Sequence, residues 1–251
     1  MKLTGMGLTF LAASGDGGTD GNHGGDSCQY THPLFPASSP WVVSVGATVA
    51  IPGKVNPVNY NQPICSGQGQ LSCDCNQNAE EVVCMLTNYG GFDTGGGFSY
   101  FATQPSWQAS AVNNYFASGV QFPPAGAYHK TGRGYPDVAA IGGAVAVIAD
   151  GSLELVGGTS ASTPLVAGMI STMNSMRIAA GKSPLGFVNQ VLYQAAAECS
   201  TCFNDITQGN NGNLCQAENM GFYATTGWDA CTGLGSINFA ALSNYVVNQV
   251  P

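Results

Sequence analysis

The run Gly158-Thr-Ser-Ala-Ser-Thr-Pro164 holds the residue types that acyl transfer to a serine requires. A serine hydroxyl attacks a carbonyl when a base takes its proton and the backbone keeps it exposed. Glycine permits a tight turn into a helix, and the amides of the first helical turn can face a developing oxyanion. Ser160 is therefore the candidate nucleophile. A bare Gly-Thr-Ser describes only a helix start, with Thr159 or Ser160 as N-cap and Pro164 in the first turn; the full seven-residue string says more. Asp137, in Tyr-Pro-Asp-Val-Ala, has the look of a catalytic acid but reads as a buried structural carboxylate. His23, in Asn-His-Gly-Gly, reads as a surface-loop residue.

Composition limits what this chemistry can act on. Of 251 residues only 8% are charged, 35 are glycine, and the net charge is −8. Six Lys and Arg cannot neutralise a phosphate track, which argues against a nucleic-acid partner. Few carboxylates leave little charge to lose on acidification, so an acidic compartment suits the chain. No apolar stretch reaches the length of about 20 residues that spans a bilayer. Nine cysteines point to an oxidising compartment, and their spacing shows no paired C-x-x-C zinc pattern. The odd count leaves one thiol free or paired outside the chain, and the pairing stays open.

Several elements must position Ser160. Gly7 to Ala13 reads as a buried parallel strand, in competition with a short signal peptide, and leads into a Gly/Asp-rich loop from Gly15 to Ser27. Trp41 to Thr48, Pro136 to Ala140 and Val145 to Ala149 read as strands. Residues 52–92 form an irregular insertion with four cysteines. Pro105 to Phe116 and Pro184 to Ala197 look helical, and Thr163 to Ala180 repeats apolar residues at helical spacing through Val166, Met169, Ile170 and Met173. Gly95 to Gly97 suit either a strand that pairs with extended substrate or close packing. The tail from Phe203 to Phe239 is rich in turns. Strands alternating with helices predict one α/β domain over 1–251 with a mainly parallel sheet flanked by helices.

The nucleophile string resembles that of the sedolisins, or serine-carboxyl peptidases, and is close to that of the subtilisins. The resemblance continues through Ala13-Ser-Gly-Asp16-Gly, Phe35-Pro-Ala-Ser-Ser-Pro-Trp-Val, Ser44-Val-Gly46, Gly95-Gly-Gly-Phe-Ser99, Gly132-Arg-Gly-Tyr-Pro-Asp-Val-Ala139, Pro184-Leu-Gly-Phe187 and Gly227-Trp-Asp-Ala-Cys-Thr-Gly-Leu-Gly235. It is greatest to tripeptidyl-peptidase I-like members, and residues 52–92 lie outside it. A conventional subtilisin places its catalytic histidine before the oxyanion turn, whereas His23, His32 and His129 all follow Asp16.

The resemblance implies a subtilisin-like fold and acyl-enzyme hydrolysis of peptides or proteins at acidic pH, in a lysosomal or extracellular setting. It assigns Asp16 to the oxyanion turn, where a carboxyl must be protonated in order to donate. It also implies Ca2+ in the tail, held by the side chains of Asp205 and Asp229 and the carbonyls of Ile206, Thr225 and Gly227, with Thr225 where the family usually has glycine. Sedolisins draw their general base from a Glu-x-x-x-Asp helix upstream of the Asp16 turn. None of Glu80, Glu81, Glu154, Glu198 and Glu218 has an aspartate four residues on. The expectation is therefore a chain truncated relative to the family and inactive alone. The alternative is a non-catalytic fragment or pseudoenzyme serving as a calcium-binding scaffold.

Overall fold

The computed structural model describes residues 1–21, 28–52, 64–66, 72–74, 79–88 and 90–251, with the backbone alone for 52, 64–66, 72–74, 79 and 216–218. The strands in chain order are β1 (Leu11–Ala13), β2 (Val43–Pro52), β3 (Ile64–Ser66), β4 (Ser72–Asp74), β5 (Ala79–Val83) and β6 (Gly97–Thr103). They continue with β7 (Gly132–Tyr135), β8 (Val138–Ile141), β9 (Val145–Ala149), β10 (Ser152–Val156), β11 (Phe203–Asn204) and β12 (Ser236–Ile237). The helices are α1 (Ala109–Ala117), α2 (Thr159–Ala179), α3 (Asn189–Glu198) and α4 (Phe239–Asn248). The principal sheet runs β1-β2-β8-β12-β11. Its first four strands are parallel, and β11 turns back antiparallel against β12.

A parallel strand covered on both faces must be apolar without alternation, and β2 meets that demand: residues 43–49 are all buried. Val43 and Val45 of β2 and Val138 and Ala140 of β8 enter the main core with Val166, Ile170 and Met173 of α2. Leu192 of α3 and Leu242 and Val246 of α4 complete it, so the helices bury their apolar stripes against the sheet and each other. An aromatic cluster extends this core. Phe98 of β6 has its ring centroid 5.1 Å from Phe116, 5.4 Å from Phe222 and 6.0 Å from Trp228, inside the range for offset and edge-to-face pairs.

Several elements differ from expectation. The first strand covers only Leu11–Ala13; residues Thr4–Met6 form a 3-10 turn instead, and Met1, Leu3, Met6 and Leu8 are exposed. Within the insertion, β3 and β4 pair with Cys65 opposite Cys73, and β5 joins the principal sheet antiparallel to β2. The segment from 184 to 188 is irregular and α3 begins only at Asn189, and helix α4 within the C-terminal residues was not foreseen. His23 and Cys75 lie outside the described residues.

Asp137 is the structural carboxylate expected. Completely buried, it accepts from Arg133 Nη2 at 2.5 Å, the Ser44 amide at 2.8 Å, Tyr193 Oη at 3.0 Å and Asn189 Nδ2 at 3.1 Å. Arg133 is equally buried. These bonds join β2, the β7–β8 connection and α3, and they leave the carboxylate nothing to offer a substrate.

Candidate active site

Asp16 follows β1, and Ser160 lies in the first turn of α2. They converge because the loop after β1 is stitched to the start of that helix. Ser14 N donates to Val45 O at 2.9 Å, holding the loop against β2. Gly15 N donates to Thr159 Oγ1 at 3.1 Å. The Thr159 amide and hydroxyl both donate to Asp16 Oδ1, each at 2.7 Å. The helix start therefore differs from the expected local cap. Gly158 is the N-cap residue and supplies no side chain, and a carboxylate from 143 residues away takes the first helical amide. The orphan amides of a helix start need acceptors from outside the helix, and Asp16 supplies one.

Gly158 has φ 126° and ψ 156°, a conformation that is essentially glycine's alone. A Cβ there would stand 2.8 Å from Asp16 Oδ2 and 3.6 Å from the Ser160 nitrogen. The absent side chain thus leaves a gap bordered by one carboxyl oxygen and one first-turn amide. Pro164 is the sixth residue of α2 rather than a first-turn residue, and its missing N–H leaves the Ser160 carbonyl without the usual i+4 donor. Ser162 Oγ donates to Ala140 O at 2.9 Å and ties this turn to β8. Ser160 itself is exposed and its hydroxyl has no hydrogen-bond partner among the described residues.

Among the described residues, His129 and six cysteines are engaged or buried away from this turn. His129 Nδ1 lies 3.0 Å from Ser99 O, and its ring stacks on Tyr100 with centroids 6.1 Å apart. Cys28 pairs with Cys215 and Cys199 with Cys202. Cys84 and Cys231 are free but buried, and burial, with nearby carboxylates, pushes both thiols up, so neither offers a thiolate. Gly95 and Gly96 are buried, and a Cβ would stand 2.2 Å from Ser14 O at Gly95 and 1.9 Å from Ala230 O at Gly96. The absence of side chains at these two positions is what allows the backbones to pack this closely.

In the tail, the five expected metal residues lie on two adjoining segments. The Gly227 amide donates to Asp205 Oδ2 at 3.0 Å and Oδ1 at 3.2 Å, and Ile206 beside it is buried. Asp229, fully buried, accepts from Thr225 N at 3.2 Å through Oδ2. Its Oδ1 takes the Cys231 and Thr232 amides at 2.9 and 2.8 Å and Thr232 Oγ1 at 3.1 Å. Burial pushes the Asp229 carboxyl up to about 7 against the pull of these donors. Burial likewise raises Asp205, with the Gly227 amide opposing. Neither carboxylate pairs with a cation among the described residues.

Thr159 is the site residue that sequence reasoning passed over as a helix cap. Its motif position was visible, but nothing in the sequence joined it to Asp16.

The chain is 41% identical over 98% of its length to physarolisin of Physarum polycephalum, covering 43% of that protein. It is 35% identical over 99% of its length to human tripeptidyl-peptidase 1, covering 39%. The solved structure of Pseudomonas sedolisin, a serine-carboxyl proteinase complexed with two molecules of pseudo-iodotyrostatin, superposes with a TM-score of 0.67 at 27% identity, over 99% of this chain and 58% of that one. The chain thus spans about two-fifths of the length of the curated relatives it matches. No family model matches it.

Proposed function

Because this chain belongs to the sedolisin family of serine-carboxyl peptidases, we propose that the protein carrying it hydrolyses peptide bonds at acidic pH through an acyl-enzyme on Ser160. The observation that carries this reading is the exposed Ser160 hydroxyl beside an N-terminal helix turn to which Asp16 is bonded. Ser160 Oγ attacks the scissile carbonyl carbon, a base takes its proton, and the carbonyl oxygen becomes an oxyanion. Neutral Asp16 donates to that oxyanion, together with a first-turn amide. A carboxyl that must be neutral to donate, working with a carboxylate base that must be ionised, confines activity to mildly acidic pH. Residues 1–251 form the C-terminal part of one peptidase catalytic domain in this reading, within an acidic, oxidising lysosomal or extracellular compartment, and the tripeptidyl-peptidase relatives favour release of tripeptides.

The base is the family's Glu-x-x-x-Asp, which these 251 residues do not contain. Residues 1–251 alone should therefore fail to turn over a peptide near pH 4, since general base catalysis contributes about 10²–10⁴-fold. A longer form carrying such a segment should turn over and, with an electrophilic peptide inhibitor, yield a mass-detected adduct on Ser160. Ser160-dependent turnover by the short form would show another base. Silence from every form would favour a non-catalytic scaffold.

Calcium fits the tail. A buried carboxylate without a cationic partner, a second carboxylate on the adjoining segment, and turn carbonyls form an all-oxygen donor set suited to this hard cation. Asp205, Ile206, Thr225, Gly227 and Asp229 would hold it, and the ion would neutralise both carboxylates and fasten the two segments together. Saturation near 100 Kd would add about 2.7 kcal/mol, so chelation should lower Tm by about 5–10 °C. Asp205→Asn should abolish most of that sensitivity. A melting curve indifferent to chelator would refute the site.

A further inference from the structure

Resting on the peptidase reading above, we propose that Thr159 is a positioning residue that fixes which oxygen of Asp16 presents a proton to the oxyanion. Thr159 is 1% exposed, although its neighbour Ser160 is open to solvent. An amide can only donate, so Gly15 N uses the Thr159 oxygen as its acceptor at 3.1 Å. The hydroxyl proton is then directed to Asp16 Oδ1 at 2.7 Å, and the Thr159 amide reaches the same oxygen at 2.7 Å. Two donors occupy the lone pairs of Oδ1. When the carboxyl is neutral its proton therefore resides on Oδ2.

Oδ2 is the oxygen at the gap beside Gly158, 2.8 Å from the empty Cβ position, with the Ser160 nitrogen 3.6 Å from that same point. Thr159 thus does for the acid what an orienting group does for a catalytic imidazole: it selects one tautomer and one rotamer. Without the hydroxyl, the neutral carboxyl can turn its proton away from the gap, and the Gly15 amide loses its acceptor.

A residue that only secures the helix start would make the same contacts, so the test separates the two roles. In the longer, turning-over form of the protein, Thr159→Val removes the hydroxyl at nearly constant shape, and Thr159→Ser restores it. Thr159→Val should lower kcat about 10- to 100-fold with KM little changed, and Thr159→Ser should recover most of the loss. Thr159→Ala serves as a second hydroxyl-free variant should valine distort the turn. In an Asp16→Ala background, followed by single-turnover kinetics, Thr159→Val should change the rate less than about twofold, because its partner is already gone. Equal losses in both backgrounds, or no rescue by serine, would overturn the proposal. A parent protein without turnover would refute the peptidase reading itself, before any variant is compared.

Discussion

Ser160→Ala is expected to lower kcat by about 10⁴- to 10⁶-fold in the form of the protein that turns over, while the unfolding midpoint moves by no more than about 2 °C. The two halves follow from one feature, the exposure of the side chain. Ser160 Oγ has no partner among the described residues, so its loss breaks no contact, and alanine is a good residue for a helix. The helix start depends on other atoms: the Thr159 amide on Asp16, and Ser162 Oγ on Ala140 O. Water attack aided by the oxyanion gap alone would supply what activity remains. Steady-state hydrolysis of a peptide near pH 4, with thermal melting of the same samples, measures both quantities. Turnover within tenfold of the parent would place the nucleophile elsewhere.

The largest stability loss is expected at Asp137. Asp137→Ala strands the Arg133 guanidinium, which is completely buried, and removes the acceptor of the Ser44 amide, Asn189 and Tyr193. Breaking one side of a buried ion pair costs about 3–5 kcal/mol, whereas exchanging both partners for apolar groups is often close to neutral. Asp137→Ala should therefore lower unfolding stability by about 3–5 kcal/mol, and adding Arg133→Met should recover a substantial part. Equilibrium denaturation in urea reads both. A loss below about 1 kcal/mol for the single variant would show that water or another group satisfies Arg133. The same series distinguishes Asp137 from Asp16: replacing Asp16 should impair turnover far more than folding, since Asp16 is exposed.

The relation to the sedolisins has a physical content beyond resemblance. Asp16 just after β1 and Ser160 in the first turn of α2 both lie at the ends of elements of the sheet-and-helix framework, which sets their spacing. Residues 52–92 lie outside the quoted motifs, yet within that stretch β5 takes a place on the principal sheet through β2. Loops accept length at small entropic cost when their ends stay together.

Much of this protein is determined locally. The nucleophile string, its helix and the apolar strand of β2 could be read because each uses signals spanning only a few residues: glycine at a turn, helical spacing of apolar side chains, an unbroken apolar run. Asp137 could also be recognised as structural from its setting among apolar strand residues. Other features depended on partners remote in sequence. The Asp16–Thr159 bonds span 143 residues and the Cys28–Cys215 disulfide 187. The antiparallel addition of β5 and the shortening of the first strand to Leu11–Ala13 are likewise outcomes of pairing between separated segments. A residue's own preference decides whether it can turn, extend or coil. Which distant donor meets which acceptor is decided only when packing against a common core makes burial of both worthwhile, and this is why the helix start at Ser160 was legible while the threonine that holds Asp16 was not.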